Sequence, residues 1–165
     1  MLSRKDMKMY RTRIRFIAEA AVVAAMYAAL TILIPGGSGQ IQVRVSEALT
    51  VLPFLTPAAI PGLFAGCLVA NFFVGAGPYD VIFGSLATLL AAFLTWKIRL
   101  KPLAPLPPVI INAVAVALVW KLIANTPFFA TMGFVALGEL IACYVLGYPL
   151  LLLLWKQKDR LFGKR

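Results

Sequence analysis

The sequence predicts an all-α integral membrane protein with six transmembrane helices, the second short and proline-broken, and with both termini cytoplasmic. Three observations carry this. Hydrophobic residues fill 62% of the 165 positions and charged residues only 13%, more apolar surface than a soluble core of this size can hide. Several apolar stretches approach or exceed the roughly 20 residues needed to cross a bilayer. Fourteen of the sixteen basic residues fall in three short patches, as the cytoplasmic flanks of membrane spans do.

The first patch is Arg4, Lys5, Lys8, Arg11, Arg13 and Arg15, and it leads into an apolar run over 14–34. A basic segment before an apolar one is also how a secretion signal begins. This run is of full spanning length, however, and no small-residue cleavage site with a soluble chain follows, so it is read as the first span. The loop over 35–45, with Gly36, Gly37, Ser38, Gly39 and Gln40, is polar and flexible. The next apolar stretch, 48–75, contains Pro53, Pro57 and Pro61. Proline removes a backbone donor and breaks or kinks a helix. A break near Thr56-Pro57 divides the stretch into two helices that enter and return. The first leg, 46–55, is only about 15 Å long as an α-helix. Irregular backbone at membrane depth is tolerated only beside protein or a cavity, so this short element marks a site.

A span over 81–96 then reaches the second patch, Lys97, Arg99 and Lys101. Spans over 106–125 and 128–155 lead to the third, Lys156, Lys158, Arg160, Lys164 and Arg165. With the proline break counted as two passes, an even number of crossings separates consecutive patches. All three can then face the cytoplasm, with the loop 35–45 and the turns 75–78 and 125–127 outside. Residues 1–165 read as a single transmembrane binding domain, with a basic cytoplasmic N-terminus (1–13) and a basic cytoplasmic tail (156–165).

Only six acidic residues are present, and Glu47, Asp80 and Glu139 lie inside or at the mouth of apolar stretches. An ionisable group at membrane depth costs roughly 2.5–3.5 kcal/mol on insertion scales and usually faces a cavity, a partner or a ligand. Glu47 opens the second helix, Asp80 the fourth, and Glu139 lies about 15 Å into the sixth. Asn71 and Asn112 join them in depth. The sum is an outward-opening cavity lined by three acids and two carboxamides, with Arg44 and Tyr79 at its edge. Each group also has a plainer role. Asp80 after Gly77-Pro78 suits a helix N-terminus, Arg44 can pair with Glu47, and buried asparagines often tie helices together. On the first helix, Ala20, Ala24 and Ala28 form one row, and Ala21, Ala25 and Ala29 form the next. Small residues at this spacing let another helix approach closely, within the chain or from a separate subunit. Glu19 lies near the cytoplasmic end and can snorkel to water.

Several classes of function are excluded or disfavoured. The chain has no histidine, hence no Ser-His-Asp or Cys-His arrangement and no histidine-ligated metal. It has no Walker loop with which to use ATP itself. Cys67 and Cys143 stand apart in apolar runs and are read as buried free thiols. The net charge of +10 resides in the flanking patches, which suit anionic lipid headgroups rather than nucleic acid. No enzyme, metal or cofactor is expected.

Two strings are specific enough to compare with known proteins. Arg44-Val45-Ser46-Glu47-Ala48-Leu49-Thr50-Val51-Leu52-Pro53 is followed by Thr56-Pro57-Ala58-Ala59-Ile60-Pro61-Gly62-Leu63. With Gly66-Cys67, Ala70-Asn71, Asp80, Phe83-Gly84-Ser85-Leu86-Ala87-Thr88-Leu89, Pro108 with Asn112, and Gly138-Glu139, they resemble the QueT family over about residues 12–156. These are substrate-binding S components of energy-coupling factor (ECF) transporters in prokaryotic plasma membranes. The resemblance implies six helices with both ends cytoplasmic. It implies uptake of a queuosine precursor, a 7-deazaguanine such as preQ0, preQ1 or queuine. It also implies partnership with a transmembrane coupling subunit and two ATPase subunits that use the ATP, with the first-helix alanines as docking motif. Binding would fall to Glu47, Asn71, Asp80, Asn112, Glu139, Tyr79 and Arg44. The alternative is a stand-alone secondary transporter or channel for a small cationic or polar solute. That needs acids through the whole membrane depth, and the inner half offers only Glu19.

Overall fold

Proline and glycine divide the chain much as the sequence predicts, and the resulting helices have unusual local geometry where the acids lie. The computed structural model describes residues 4–34 and 43–161. Most of the glycine-rich loop expected over 35–45 lies outside these, as do the last residues of the basic tail. Helix α1 (Arg4–Leu33) contains no glycine or proline and stops at Ile34, which precedes Pro35 and is restricted from helical dihedrals. Then come α2 (Val45–Phe54), α3 (Ala59–Phe73), α4 (Asp80–Lys97), α5 (Leu106–Ala124, after a short turn Lys101–Leu103), α6 (Phe128–Lys156) and the single turn α7 (Lys158–Leu161). Four segments are long and apolar enough to cross a membrane: Thr12–Leu33, Asp80–Lys97, Lys101–Ala124 and Phe128–Lys156. Helices α2 and α3 are shorter and equally apolar. Among the described residues every regular element is helical.

Helix α2 differs from the expected α-helical leg in one respect: it is a ten-residue 3-10 helix. At about 2.0 Å per residue it spans about 20 Å, roughly a third more than ten α-helical residues. It ends at the expected break, where the Leu55 and Thr56 amides both donate to the Leu52 carbonyl. Eight consecutive residues, Ser46 to Pro53, are buried. Helices α1, α4 and α6 surround it, so its irregular backbone never meets lipid.

Close backbone approach holds this centre together. A Cβ placed on Gly62 would lie 2.6 Å from the Ala20 carbonyl oxygen, and one on Gly66 would lie 2.8 Å from that of Ala24. The alanine row Ala20, Ala24 and Ala28 is thus occupied inside the chain, with Ala28 packed on the core and α3 against the other two. Ala21 and Ala25 point outward. Gly147 of α6 meets Ala48 of α2 in the same way, at 3.0 Å from its carbonyl oxygen. The outer surface is apolar: Phe129 is 79% exposed and Leu122 77%. Patches of this kind require a lipid solvent.

Arg15, Lys101 and Lys158, one from each basic patch, lie at one end of the bundle. Arg15 donates to the Leu161 carbonyl at 2.6 Å. Lys101 and Lys158 both lie over the Trp155 ring, 4.2 and 4.0 Å from its centre. Glu19 does not snorkel freely at this end. It accepts from Arg15 at 2.9 Å and from Thr56 at 2.8 Å, tying α1 to the break between α2 and α3. At the far end, turns contain Gly75 and Asn125, the two described residues with positive φ (71° and 51°).

Substituting Gly62 or Gly66 by alanine is expected to lower stability by about 1–3 kcal/mol, because the contacted atom is a backbone oxygen that cannot swing aside. Gly133, with nothing within 4 Å of its Cβ position, is the control. Thermal unfolding of the purified variants in detergent checks this, with a falling midpoint for the first two and an unchanged or slightly raised one for Gly133→Ala.

Candidate binding site

A cavity of about 610 Å³ occupies the end of the bundle opposite the basic patches. Small-molecule sites commonly occupy roughly 300–1,000 Å³. Its wall includes Arg44, Glu47, Asn71, Asp80, Asn112 and Glu139, six of the seven residues expected from the sequence. The seventh, Tyr79, is not brought there. It lies one residue, and so about 100° of helical rotation, from Asp80, stacks on Phe83, and is 57% exposed. The aromatic walls come instead from Trp120 and Phe134.

The floor is a hydrogen-bonded unit drawn from three helices. The Asn112 carboxamide nitrogen of α5 donates to Glu139 Oε1 of α6 at 3.0 Å and to Glu47 Oε2 of α2 at 3.3 Å. Its two N–H bonds are thereby divided between two acids. The other oxygen of Glu47 accepts from the Tyr27 hydroxyl of α1, and that of Glu139 meets Cys143 Sγ at 3.5 Å. Glu47 therefore does not pair with Arg44, whose guanidinium makes no hydrogen bond or ion pair among the described residues. Glu47 and Glu139 are both buried, at 2% and 8% exposure. Desolvating two acids is expensive, and Asn112, Tyr27 and Cys143 give each carboxylate oxygen one partner, which leaves further acceptor capacity on both groups.

The wall above the floor has a different character. Asn71 spends its amide on Cys67 Sγ and the Asp80 carbonyl, both at 3.4 Å, and acts as interhelical glue beneath Asp80. The Asp80 carboxyl group faces the cavity with no hydrogen bond or ion pair among the described residues. Thr126 Oγ1, at the rim, is buried without a partner. Cys67 and Cys143 are free and buried, and Cys67 contributes to the wall. Among the described residues no three His, Cys, Asp or Glu side chains gather as metal ligands.

Non-α backbone accompanies each acid. Glu47 sits on the 3-10 helix, Asp80 opens a π-helical turn (Asp80–Gly84), and Glu139 lies just before a π-helical segment (Ile141–Gly147). Such turns occur often at functional sites because they displace side chains from the regular spiral. Sequence reasoning missed Tyr27, Thr126 and Phe134. Tyr27 sits in an unbroken apolar run and offers no local signal. Thr126 lies in the turn 125–127, which was read only as a connection.

Apolar helices of spanning length, wrapped around a polar cavity floored by two buried, hydrogen-bonded acids, define a membrane protein with a pocket of small-molecule size. Residues 17–156 match the family model described as QueT transporter, and the chain belongs to that family. It is 33% identical over 147 residues to the queuosine precursor transporter QueT of Lactococcus lactis subsp. cremoris (strain MG1363), covering 78% of this chain and 86% of that protein. No solved structure matches the chain. Membership makes it a membrane transport protein and not an enzyme.

Replacing Asn112 by leucine removes the donor shared by Glu47 and Glu139. The expected result is a loss of about 1–3 kcal/mol in the ligand-free protein, read as a lower unfolding midpoint in detergent. An unchanged midpoint would show that Asn112 does not organise the acid pair.

Proposed function

We propose that this chain is a queuosine-precursor capture subunit of an ECF-type importer, a single transmembrane domain that binds a 7-deazaguanine in the cavity. The observation that carries the proposal is the pair of buried acids joined by one carboxamide at the cavity floor. A guanine-like edge presents a ring N–H beside an exocyclic amine, and a carboxylate accepts both in a bidentate arrangement. Glu47 and Glu139 are the groups proposed to take these donors. The ring oxygen needs a donor in return. Both asparagine amides are engaged within the protein, so Arg44 or Thr126 suits this role better. Trp120 or Phe134 supplies a face for stacking. Asp80 stands free near the mouth for a cationic aminomethyl arm where the precursor has one.

The convergence of Arg15, Lys101 and Lys158 supports a cytoplasmic basic end, cytoplasmic termini and a cavity that opens outside. Counting α2 and α3 as a short in-and-out pair gives six helices. Ala21 and Ala25 are the outward part of the α1 motif and are proposed to face the coupling subunit, because α3 and the core already cover Ala20, Ala24 and Ala28. The ATP is then used by the two ATPase subunits of the complex, and the chain itself needs no cofactor.

The test is binding of 7-deazaguanine bases to the purified chain, by thermal shift and calorimetry. Micromolar or tighter affinity is expected, and Glu139→Gln is expected to weaken it by about tenfold or more, as loss of a charge-assisted hydrogen bond does. Absence of binding by any such base overturns the proposal. Solute flux into liposomes that contain only this chain would favour a stand-alone transporter instead.

A further inference from the structure

We propose that Tyr27, assisted by Thr31, is a positioning residue that fixes Glu47 for recognition of the ligand's donor edge. The inference rests on the capture function proposed above and extends it to a residue outside the cavity wall. Tyr27 is 1% exposed and belongs to the buried apolar cluster that includes Val23, Leu49, Leu63 and Cys67. A phenylalanine would fill that space without needing a polar partner. The hydroxyl reaches across from α1 to Glu47 Oε1 while Asn112 holds Glu47 Oε2. The terminal torsion of a glutamate is broad and roughly two-fold, so one donor leaves the carboxyl plane free to turn. Separate donors on the two oxygens fix it.

Thr31, one turn along α1, adds a second grip. Its hydroxyl lies 2.7 Å from Ser46 Oγ and donates to the Tyr27 carbonyl at 2.9 Å. Helix α1 thus holds consecutive residues of α2, Ser46 and Glu47. The height of Tyr27 is set in turn by the α1–α3 contact, since a Cβ on Gly66 would lie 2.9 Å from that of Tyr27. Bidentate acceptance requires the carboxylate plane to match the plane of the ligand's edge. The orientation imposed by Tyr27 therefore affects discrimination between guanine-like and hypoxanthine-like edges more than it affects general affinity.

The experiment compares binding of 7-deazaguanine and 7-deazahypoxanthine, which lacks the exocyclic amine, to the full-length protein in detergent. Y27F is expected to weaken 7-deazaguanine by about tenfold, with a much smaller effect on 7-deazahypoxanthine. In a Glu47→Ala background it is expected to cause no further loss, because its effect passes through Glu47. Equal weakening of both bases, or the same loss with Glu47 absent, would mean that Tyr27 serves packing alone and would overturn the proposal. Should Y27F fail to fold, Thr31→Val carries the same readout, and undiminished discrimination in that variant overturns it. A wild-type chain that binds neither base removes the capture function, and the positioning role with it. Wild-type binding with full discrimination retained in Y27F removes the positioning role alone.

Discussion

The carboxamide of Asn112 is the interaction on which the rest of this structure depends. Two acids are held away from water at the floor of a cavity inside an apolar bundle, and a single nitrogen donates to both. Neither acid is close to another in sequence. They come from helices 2 and 6, and the bridge from helix 5, so the site exists only when those three helices pack correctly. A partly satisfied polar network is a liability in a low-dielectric interior, because each unmet acceptor carries its own desolvation cost. In this one each carboxylate oxygen has one partner, from Tyr27, Asn112 or Cys143.

Packing constraints follow from that placement. For Glu47 to reach the centre, α2 must run through the bundle rather than around it, and eight successive buried residues show that it does. Such a core helix leaves little room for its neighbours. The small residues answer this need: Gly147 against Ala48, and Gly62 and Gly66 against α1. The 3-10 winding of α2 contributes too. It spreads ten residues over a longer path than an α-helix would. The π-helical segment after Glu139 lies where α6 packs on α2. Departures from regular helix cluster around the acids because three helices must all present side chains to one small volume.

Much of this was legible in the sequence because lipid and charge impose simple rules. Prolines mark the break near Thr56, and acids in apolar runs mark the cavity wall. The turns at Gly75 and Asn125 fell where the Gly75–Pro78 and Asn125–Pro127 sequences put them. What stayed hidden depended on three-dimensional neighbours. The alanine rows of α1 gave a small-residue face without saying which partner would take it, and α3 took one row. Tyr79 looked equivalent to Asp80 from its position, yet one residue of helical rotation carries it out of the cavity. Glu19 had an obvious route to water, but the Thr56 hydroxyl lies closer and gives the acid a buried partner. Tyr27 is indistinguishable from any core aromatic until Glu47 is seen beside its hydroxyl.

Charge is also segregated along the molecule, with basic groups at one end and most of the buried acids at the other. At one end Arg15 donates to the Leu161 carbonyl, and Lys101 and Lys158 both lie over the Trp155 ring. At the other, Glu47, Asp80 and Glu139 share a cavity with one arginine. Basic side chains of this kind are attracted to anionic headgroups. An acid-rich cavity with low-dielectric walls concentrates solutes that bring hydrogen-bond donors or positive charge. Charged side chains of the two signs are thus gathered at opposite ends of one bundle, and the apolar helices between them keep the two apart.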